Sequence, residues 1–211
     1  MSYVFDVSIL VIAIIFFGFS HSVLASLKVK TFIRNNFPRI IPFYRIIYNL
    51  ISFIILYLFF IYLPQPGITI YDLIKPYDFI ILAFQFLSLL GLIWTFRFFS
   101  YKEFLGISQI VRWYKKNYNL NDLDEKMTLK IEGPYKYMRH PVYFFSILFL
   151  VFRPYMDLTY LVLVTGTIVY FYIGSYYEEK KLIRIFGEEY KNYQNSVPRI
   201  FPIKPFNPYK F

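Results

Sequence analysis

Residues 4–25 read VFDVSILVIAIIFFGFSHSVLA, an apolar run interrupted only by Asp6, Ser8, Gly18 and the group Ser20-His21-Ser22. At about 1.5 Å of rise per residue, a helix of this length crosses a hydrocarbon core of about 30 Å. Working outward, Tyr44 to Leu63 is a second such run, ended by Pro64-Gln65-Pro66-Gly67, a turn signal. Tyr77 to Phe99 is a third. Ser100 to Arg139 is polar and charged, with Asn117 to Lys126 reading as a solvated loop. Val142 to Phe152 is again apolar, but its eleven residues are too few to span unaided. After Arg153-Pro154 comes Leu158 to Tyr177, which is long enough, so the two runs read as a helical hairpin with one short arm. Glu178 to Phe211, with Pro198, Pro202, Pro205 and Pro208, is expected outside the bilayer. The fold class is therefore an all-α polytopic membrane bundle of about five hydrophobic segments. One membrane domain over residues 1–211 is expected, with three spans in 1–99 and the loop, hairpin and tail in 100–211.

Composition supports a bilayer as the solvent: 57% of the 211 residues are apolar and 24% aromatic. The chain has no cysteine, which excludes disulfides, thiolate nucleophiles, iron–sulfur ligation and Cys-based zinc sites. With only two histidines, His21 and His140, multi-histidine metal centres are excluded as well, and no metal is expected. A formal charge of +10 is compatible with nucleic acid, but in a membrane protein basic residues gather in cytoplasmic loops facing anionic lipid, and no nucleic-acid partner is expected.

Two clusters could carry chemistry. In Gly133-Pro134-Tyr135-Lys136-Tyr137-Met138-Arg139-His140-Pro141-Val142-Tyr143, Pro141 begins the short arm, so free helix-start amides stand beside Arg139 and His140, an arrangement suited to a carboxylate. A cationic flank of an ordinary helix end is the alternative reading. Glu178-Glu179-Lys180-Lys181 follows the last apolar run. Adjacent carboxylates on a helix diverge by about 100°, so one can face a buried site while the other meets water. A solvated helix end is the alternative there.

The string Gly133-Pro134-Tyr135 with Arg139-His140-Pro141 and Tyr143, the hairpin, Glu178-Glu179 with Leu182, Phe186-Gly187 with Tyr190 and Tyr193, and Val197-Pro198 together resemble the signature of isoprenylcysteine carboxyl methyltransferases and bacterial phospholipid methyltransferases. Upstream, His21 to Ser26, Tyr44 to Asn49 and Phe104 to Gln109 are more similar to the NnrU-like branch of that superfamily, which includes methanethiol S-methyltransferases. The resemblance implies a helical membrane fold using S-adenosylmethionine at its cytoplasmic end, within residues 100–211. Tyr135, Arg139, His140, Tyr143, Glu178 and Glu179 fall on the cofactor motif, and Gln109 on a glutamine of the family. The short N-terminal half departs from the prenylcysteine enzymes and argues against a prenylated acceptor, leaving a small thiol or lipophilic acceptor. A thiol must react as thiolate, which Arg139 would favour by its charge, or His140 by taking the proton.

Polar residues in the first two spans are candidates for the acceptor side. His21 is an intramembrane ionisable residue, and Arg45, Tyr48, Asn49 and Ser52 form a stripe at the start of the second span. An imidazole bonded to a neighbouring helix is the other reading of His21, and the spacing of Gly18, Ser22 and Ser26 points to close helix packing. Two other functions stay open on the residues alone: a nicotinamide-dependent membrane reductase and a non-catalytic NnrU-like membrane protein.

Loop charges set an expected orientation. Residues 28–45 hold five Lys/Arg and no acid, residues 64–78 hold Asp72, Lys75 and Asp78, and residues 97–140 hold nine Lys/Arg against five Asp/Glu. Alternate loops are basic, which puts the N-terminus outside and the loop 100–139 and the C-terminus in the cytoplasm. No basic n-region or small-residue cleavage site accompanies the first run, so a removed signal peptide is not expected. Because the chain has no cysteine of its own, Thr69→Cys is expected to label with an impermeant thiol reagent in intact cells and Asn121→Cys only after permeabilisation; the reverse pattern inverts the orientation.

Overall fold

The computed structural model describes residues 3–124 and 127–202. Pro205, Pro208 and the C-terminus, like Lys126 at the end of the solvated loop, lie outside the described residues. The helices are α1 (Tyr3–Ala25), α2 (Leu27–Asn36), α3 (Tyr44–Tyr62), α4 (Tyr77–Phe96), α5 (Tyr101–Leu105), α6 (Ile107–Tyr114), α7 (Pro141–Val151), α8 (Leu158–Phe186) and α9 (Glu188–Ser196). Single 3-10 turns occupy Ile41–Phe43 and Gly133–Lys136. Strands β1 (Thr69–Asp72) and β2 (Tyr155–Asp157) form the only sheet among the described residues. Among the described residues, four helices are long and apolar enough to cross a membrane: Tyr3–Ala25, Ile41–Tyr62, Tyr77–Phe96 and Leu158–Phe186; Pro141–Val151 is a shorter apolar helix. The outward faces of these helices are studded with exposed Phe, Ile and Leu, as lipid contact requires. The protein is an all-α polytopic integral membrane protein.

The chain forms two compact units, Met1–Pro64 with Ser100–Met127, and Gln65–Phe99 with Thr128–Phe211. In the first, α1 packs on α3 through the Phe17 and Phe59 rings and a bond from Tyr44 Oη to the Leu24 carbonyl at 2.7 Å. The expected small-residue stripe ends differently: Ser22 is exposed, and Ser26 caps α2 by accepting the Val29 amide. The basic stretch after it, read as a loop, is therefore a short helix, with Lys30 buried in an ion pair with Asp124. Gly106 makes the corner between α5 and α6 at φ +92°; a Cβ there would stand 2.9 Å from the Ile46 amide nitrogen, so the turn needs glycine.

In the second unit, α4 and α7 pack most extensively. Gly91 of α4 lies directly under the Phe145 ring of α7, and Ser88 and Thr95 on the same face turn their hydroxyls back to the Phe84 and Gly91 carbonyls. Helix α7 is too short to span by length, yet it joins opposite ends of α4. Gly133, just before it, abuts Phe98 after the end of α4, while β2 just after it pairs antiparallel with β1, which precedes α4. Three side chains satisfy the carbonyls at and just beyond its C-terminal end: Gln85 Nε2 bonds Phe149, Tyr160 Oη bonds Leu150 and Tyr71 Oη bonds Arg153, at 2.8–3.0 Å. Helix α8, started by the Asp157 cap on the Tyr160 amide, returns antiparallel to α7. It continues nine residues past Tyr177, where the polar Glu-Glu-Lys-Lys had suggested its end. The extension carries Leu182, Ile183 and Phe186 onto a small core of Ile131, Tyr190, Tyr193 and Val197, against which α9 folds back.

Gly91→Ala is expected to lower stability by about 1–3 kcal/mol through overpacking against Phe145, read as a lower unfolding temperature in detergent. Gly174→Ala in α8, where a Cβ meets nothing within 4 Å, is the control and should be neutral or better. Equal behaviour of the two variants would remove the close α4–α7 contact.

Candidate functional site

Pro141 starts α7 as expected, and the residues before it are tied to the tail: the Arg139 amide donates to the Pro198 carbonyl and the His140 amide to the Arg199 carbonyl, both at 2.9 Å. That pairing aims both side chains at α8. Arg139 Nε donates to Glu179 Oε1 at 2.7 Å, and its Nη1 donates to the Gln194 carbonyl at 2.6 Å and to the Val197 carbonyl. His140 Nε2 lies 3.1 Å from the same Glu179 oxygen. Because a carboxylate only accepts, Nε2 carries the proton in this contact. Glu179 Oε2 accepts from Gln194 Nε2 at 2.8 Å and faces Arg199 Nε at 3.3 Å. Side-chain exposures of 7% for Arg139 and 2% for Glu179 make this a buried ion pair with its lone pairs filled.

The neighbouring carboxylate is in a different position. Glu178 is 40% exposed, its Oε2 accepts from Tyr143 Oη at 2.9 Å, and it stands 3.5 Å from His140 Nδ1. The His140 and Tyr143 rings stack at 5.2 Å, and Tyr143 stacks on Phe171 at 4.5 Å, so a column of three flat faces runs down beside Glu178. Burial, and after it the Glu178 charge, pushes the Tyr135 phenol well above its ordinary range. Burial does the same to Tyr190 and Tyr193. These phenols act as hydroxyl groups and not as bases near neutral pH; Tyr193 Oη, for instance, donates to the Tyr135 carbonyl at 2.6 Å. The Arg199 guanidinium lies 5.5 Å from the centre of the exposed Tyr172 ring.

Six of the sequence candidates, Tyr135, Arg139, His140, Tyr143, Glu178 and Glu179, thus fall in the second unit, within one cluster. The other five fall in the first. Gln109 is buried on α6, its Nε2 donating to the Glu103 carbonyl at 3.1 Å and to Glu103 Oε2 at 3.3 Å, beside the Arg112–Glu103 ion pair. His21 and Tyr48 form a bonded pair across α1 and α3, with Tyr48 Oη 2.6 Å from Nε2 and 2.7 Å from Nδ1. Arg45 and Asn49 donate to the Phe104 carbonyl at 3.4 and 3.1 Å. Gln194, which donates to Glu179, is not among the sequence candidates. Its signal is its phase, since it follows Tyr190 by four residues and precedes Val197 by three. A groove of about 570 Å³ in the first unit shares no residue with these candidates.

Fold and cluster define a polytopic membrane protein with an aromatic, doubly carboxylated site where a short and a long helix meet the polar helix α9 and the residues after it. No family model matches the chain, and no solved structure matches it. Among curated proteins it is similar to the methanethiol S-methyltransferase of Crocosphaera subtropica, 30% identical over 193 residues, covering 88% of this chain and 71% of that one. It is similar to the methanethiol S-methyltransferase of Pseudomonas deceptionensis at 30% over 200 residues, 94% of this chain and 73% of that one. Methanethiol S-methyltransferase 1 of Bradyrhizobium diazoefficiens is 28% identical over 188 residues, 88% of this chain and 63% of that one. The chain belongs to the methanethiol S-methyltransferase family and is an enzyme of the S-methyltransferase class, the branch to which the motifs at His21, Tyr44 and Phe104 pointed.

Arg139→Ala leaves Glu179 buried without its main cation and is expected to cost about 3–5 kcal/mol. Arg139→Lys, which cannot bridge Glu179 and two carbonyls at once, should release the tail without unfolding the bundle, seen as faster amide exchange over residues 188–200. Arg199→Ala, whose side chain is 27% exposed, should change exchange little. Unchanged exchange in Arg139→Lys would mean that the guanidinium does not hold the tail.

Proposed function

We propose that the protein transfers a methyl group from S-adenosylmethionine to a small thiol, methanethiol first, at the cluster of Tyr135, His140, Tyr143 and Glu178. The observation that carries the reading is the division between the two carboxylates: Glu179 is enclosed on Arg139, whereas Glu178 is half-exposed beside stacked rings. The donor set fits the methyl donor by chemistry. A half-exposed carboxylate suits an ammonium, the Arg199 cation suits a carboxylate, and aromatic faces suit an adenine or a sulfonium. When bound, S-adenosylmethionine supplies a methyl group on a sulfonium, whose carbon–sulfur bond breaks as the acceptor sulfur forms its own. Tyr143 orients Glu178 through its hydroxyl. His140, with Nε2 fixed on Glu179, presents Nδ1 as the group that takes the thiol proton. Arg139 is a positioning residue in this reading: it acts through Glu179 and the tail.

Gln109 is carried as a cofactor contact, and His21, Arg45, Tyr48 and Asn49 as acceptor-side contacts, on the motif resemblance alone. Lipid acceptors and membrane lipids as partners remain within the proposal, as do an N-terminus outside and a cytoplasmic C-terminus, in keeping with the alternate basic loops. A nicotinamide reductase and a non-catalytic role are not favoured, since the relatives reported above carry methyltransferase names.

The test is calorimetric titration of S-adenosylhomocysteine in detergent, beside methyl transfer from labelled S-adenosylmethionine to methanethiol. Glu178→Gln should weaken binding about ten- to hundredfold, the worth of one charged hydrogen bond, with little loss of unfolding temperature. Glu179→Gln should lower the unfolding temperature first. His140→Ala should alter the pH profile of turnover more than the affinity. Native affinity and turnover in Glu178→Gln would refute the site.

A further inference from the structure

None of the candidate site residues lines the groove in the first unit. Its volume is about 570 Å³, and its walls include Arg39, Pro42, Trp113, Tyr114, Lys116 and Tyr118. The two cations meet no acid in the lining, and neither forms an ion pair with a described residue. The nearby cations are arranged otherwise: Lys30 is paired with Asp124, and Arg112 is turned onto Glu103. Pairing of the half-buried Arg112 with Glu103 leaves Ile107, Val111, Trp113 and Tyr114 of α6 exposed. Lys116 follows the end of that helix at φ +56°, a left-handed position uncommon for a residue with a side chain.

The depth of the groove follows from the chain. Arg39 precedes and Pro42 begins the apolar helix Ile41–Tyr62, so the groove lies at the level of one end of a helix long enough to cross a membrane. Tryptophan and tyrosine favour that level, and a basic pocket there faces lipid headgroups. The Trp113 ring is fixed edge-on against Phe43 at 5.1 Å, which makes one wall rigid.

We propose that this groove is a binding site for the phosphodiester headgroup of an anionic membrane lipid, with Arg39 and Lys116 as the cations and Trp113 and Tyr114 as the walls at the glycerol level. Occupancy would brace the start of α3 against α6 by bridging two elements that carry like charge.

The chain has two tryptophans, so Trp94→Phe leaves Trp113 as the sole reporter. This variant is reconstituted in phosphatidylcholine vesicles containing either brominated phosphatidylglycerol or brominated phosphatidylcholine at equal fraction. Trp113 should be quenched more strongly by the anionic lipid, and the preference should fall with salt. Arg39→Ala and Lys116→Ala should each reduce it about fivefold, the effect expected for one basic residue at a membrane surface. Lys102→Ala, outside the groove, should leave it unchanged. Equal quenching by the two lipids in the Trp94→Phe protein overturns the proposal without any groove substitution. So does a preference abolished by millimolar inorganic phosphate, which would make the ligand a free anion, or one lowered equally by Lys102→Ala, which would make it diffuse surface charge.

Discussion

The Arg139–Glu179 pair governs the second unit because each partner is held by several elements at once. Glu179 belongs to α8, Arg139 precedes α7, and the remaining donors and acceptors come from Gln194, Val197 and Arg199 in and after α9. Removing two charges from water is costly, and an isolated pair at this burial would be no better for stability than two apolar side chains. What favours the pair is completeness. Both Glu179 oxygens are engaged, and the arginine fork reaches two carbonyls that a short helix end would otherwise leave bare. The return is geometric: with Glu179 in place, the His140 ring, its tautomer and the column of Tyr143 and Phe171 are fixed.

A second constraint comes from the bilayer, in which a backbone carbonyl has no water to bond. Helix α7 stops after eleven residues, short of what a crossing needs. Gln85, Tyr160 and Tyr71 supply the missing donors, and the β1–β2 pairing follows directly, so the short arm has its backbone satisfied by its protein surroundings. Shortness at that end has a consequence at the other. Helix α8, at 29 residues, overreaches its partner, and the overreach is where Glu178, Glu179 and the apolar Leu182, Ile183 and Phe186 stand. The candidate site occupies the step between a short helix and a long one.

Much of this was legible in the residues. A run such as 4–25 admits one reading, and Pro141 at a helix start has a backbone reason that needs no tertiary context. Other features were not. Strands of four and three residues carry no measurable alternation, so β1 and β2 were invisible. The density of charge from Lys28 masks the helical period of α2, and the polar Glu178–Lys181 masks the continuation of α8 in the same way. In the candidate site, residue types were readable but partners were not. A guanidinium beside a helix start looks ready for an anion, and only the folded tail reveals two backbone carbonyls waiting for it.

The two glutamates show how much phase decides. Ser175 is fully buried, Glu179 follows it by four residues, and Leu182 and Ile183 follow Glu179 by three and four. That spacing places Glu179 on the inward stripe of α8. Glu178 lags by one residue, about 100° around the helix, and comes to lie over Phe171, seven residues earlier, next to Tyr143. The same carboxylate, moved by one position, passes from an enclosed structural anion to a half-exposed acceptor. The pair therefore divides its roles: loss at Glu179 acts through the tail and through His140, which also stands 3.5 Å from Glu178, and loss at Glu178 acts on Tyr143 and on what meets the rings beside it.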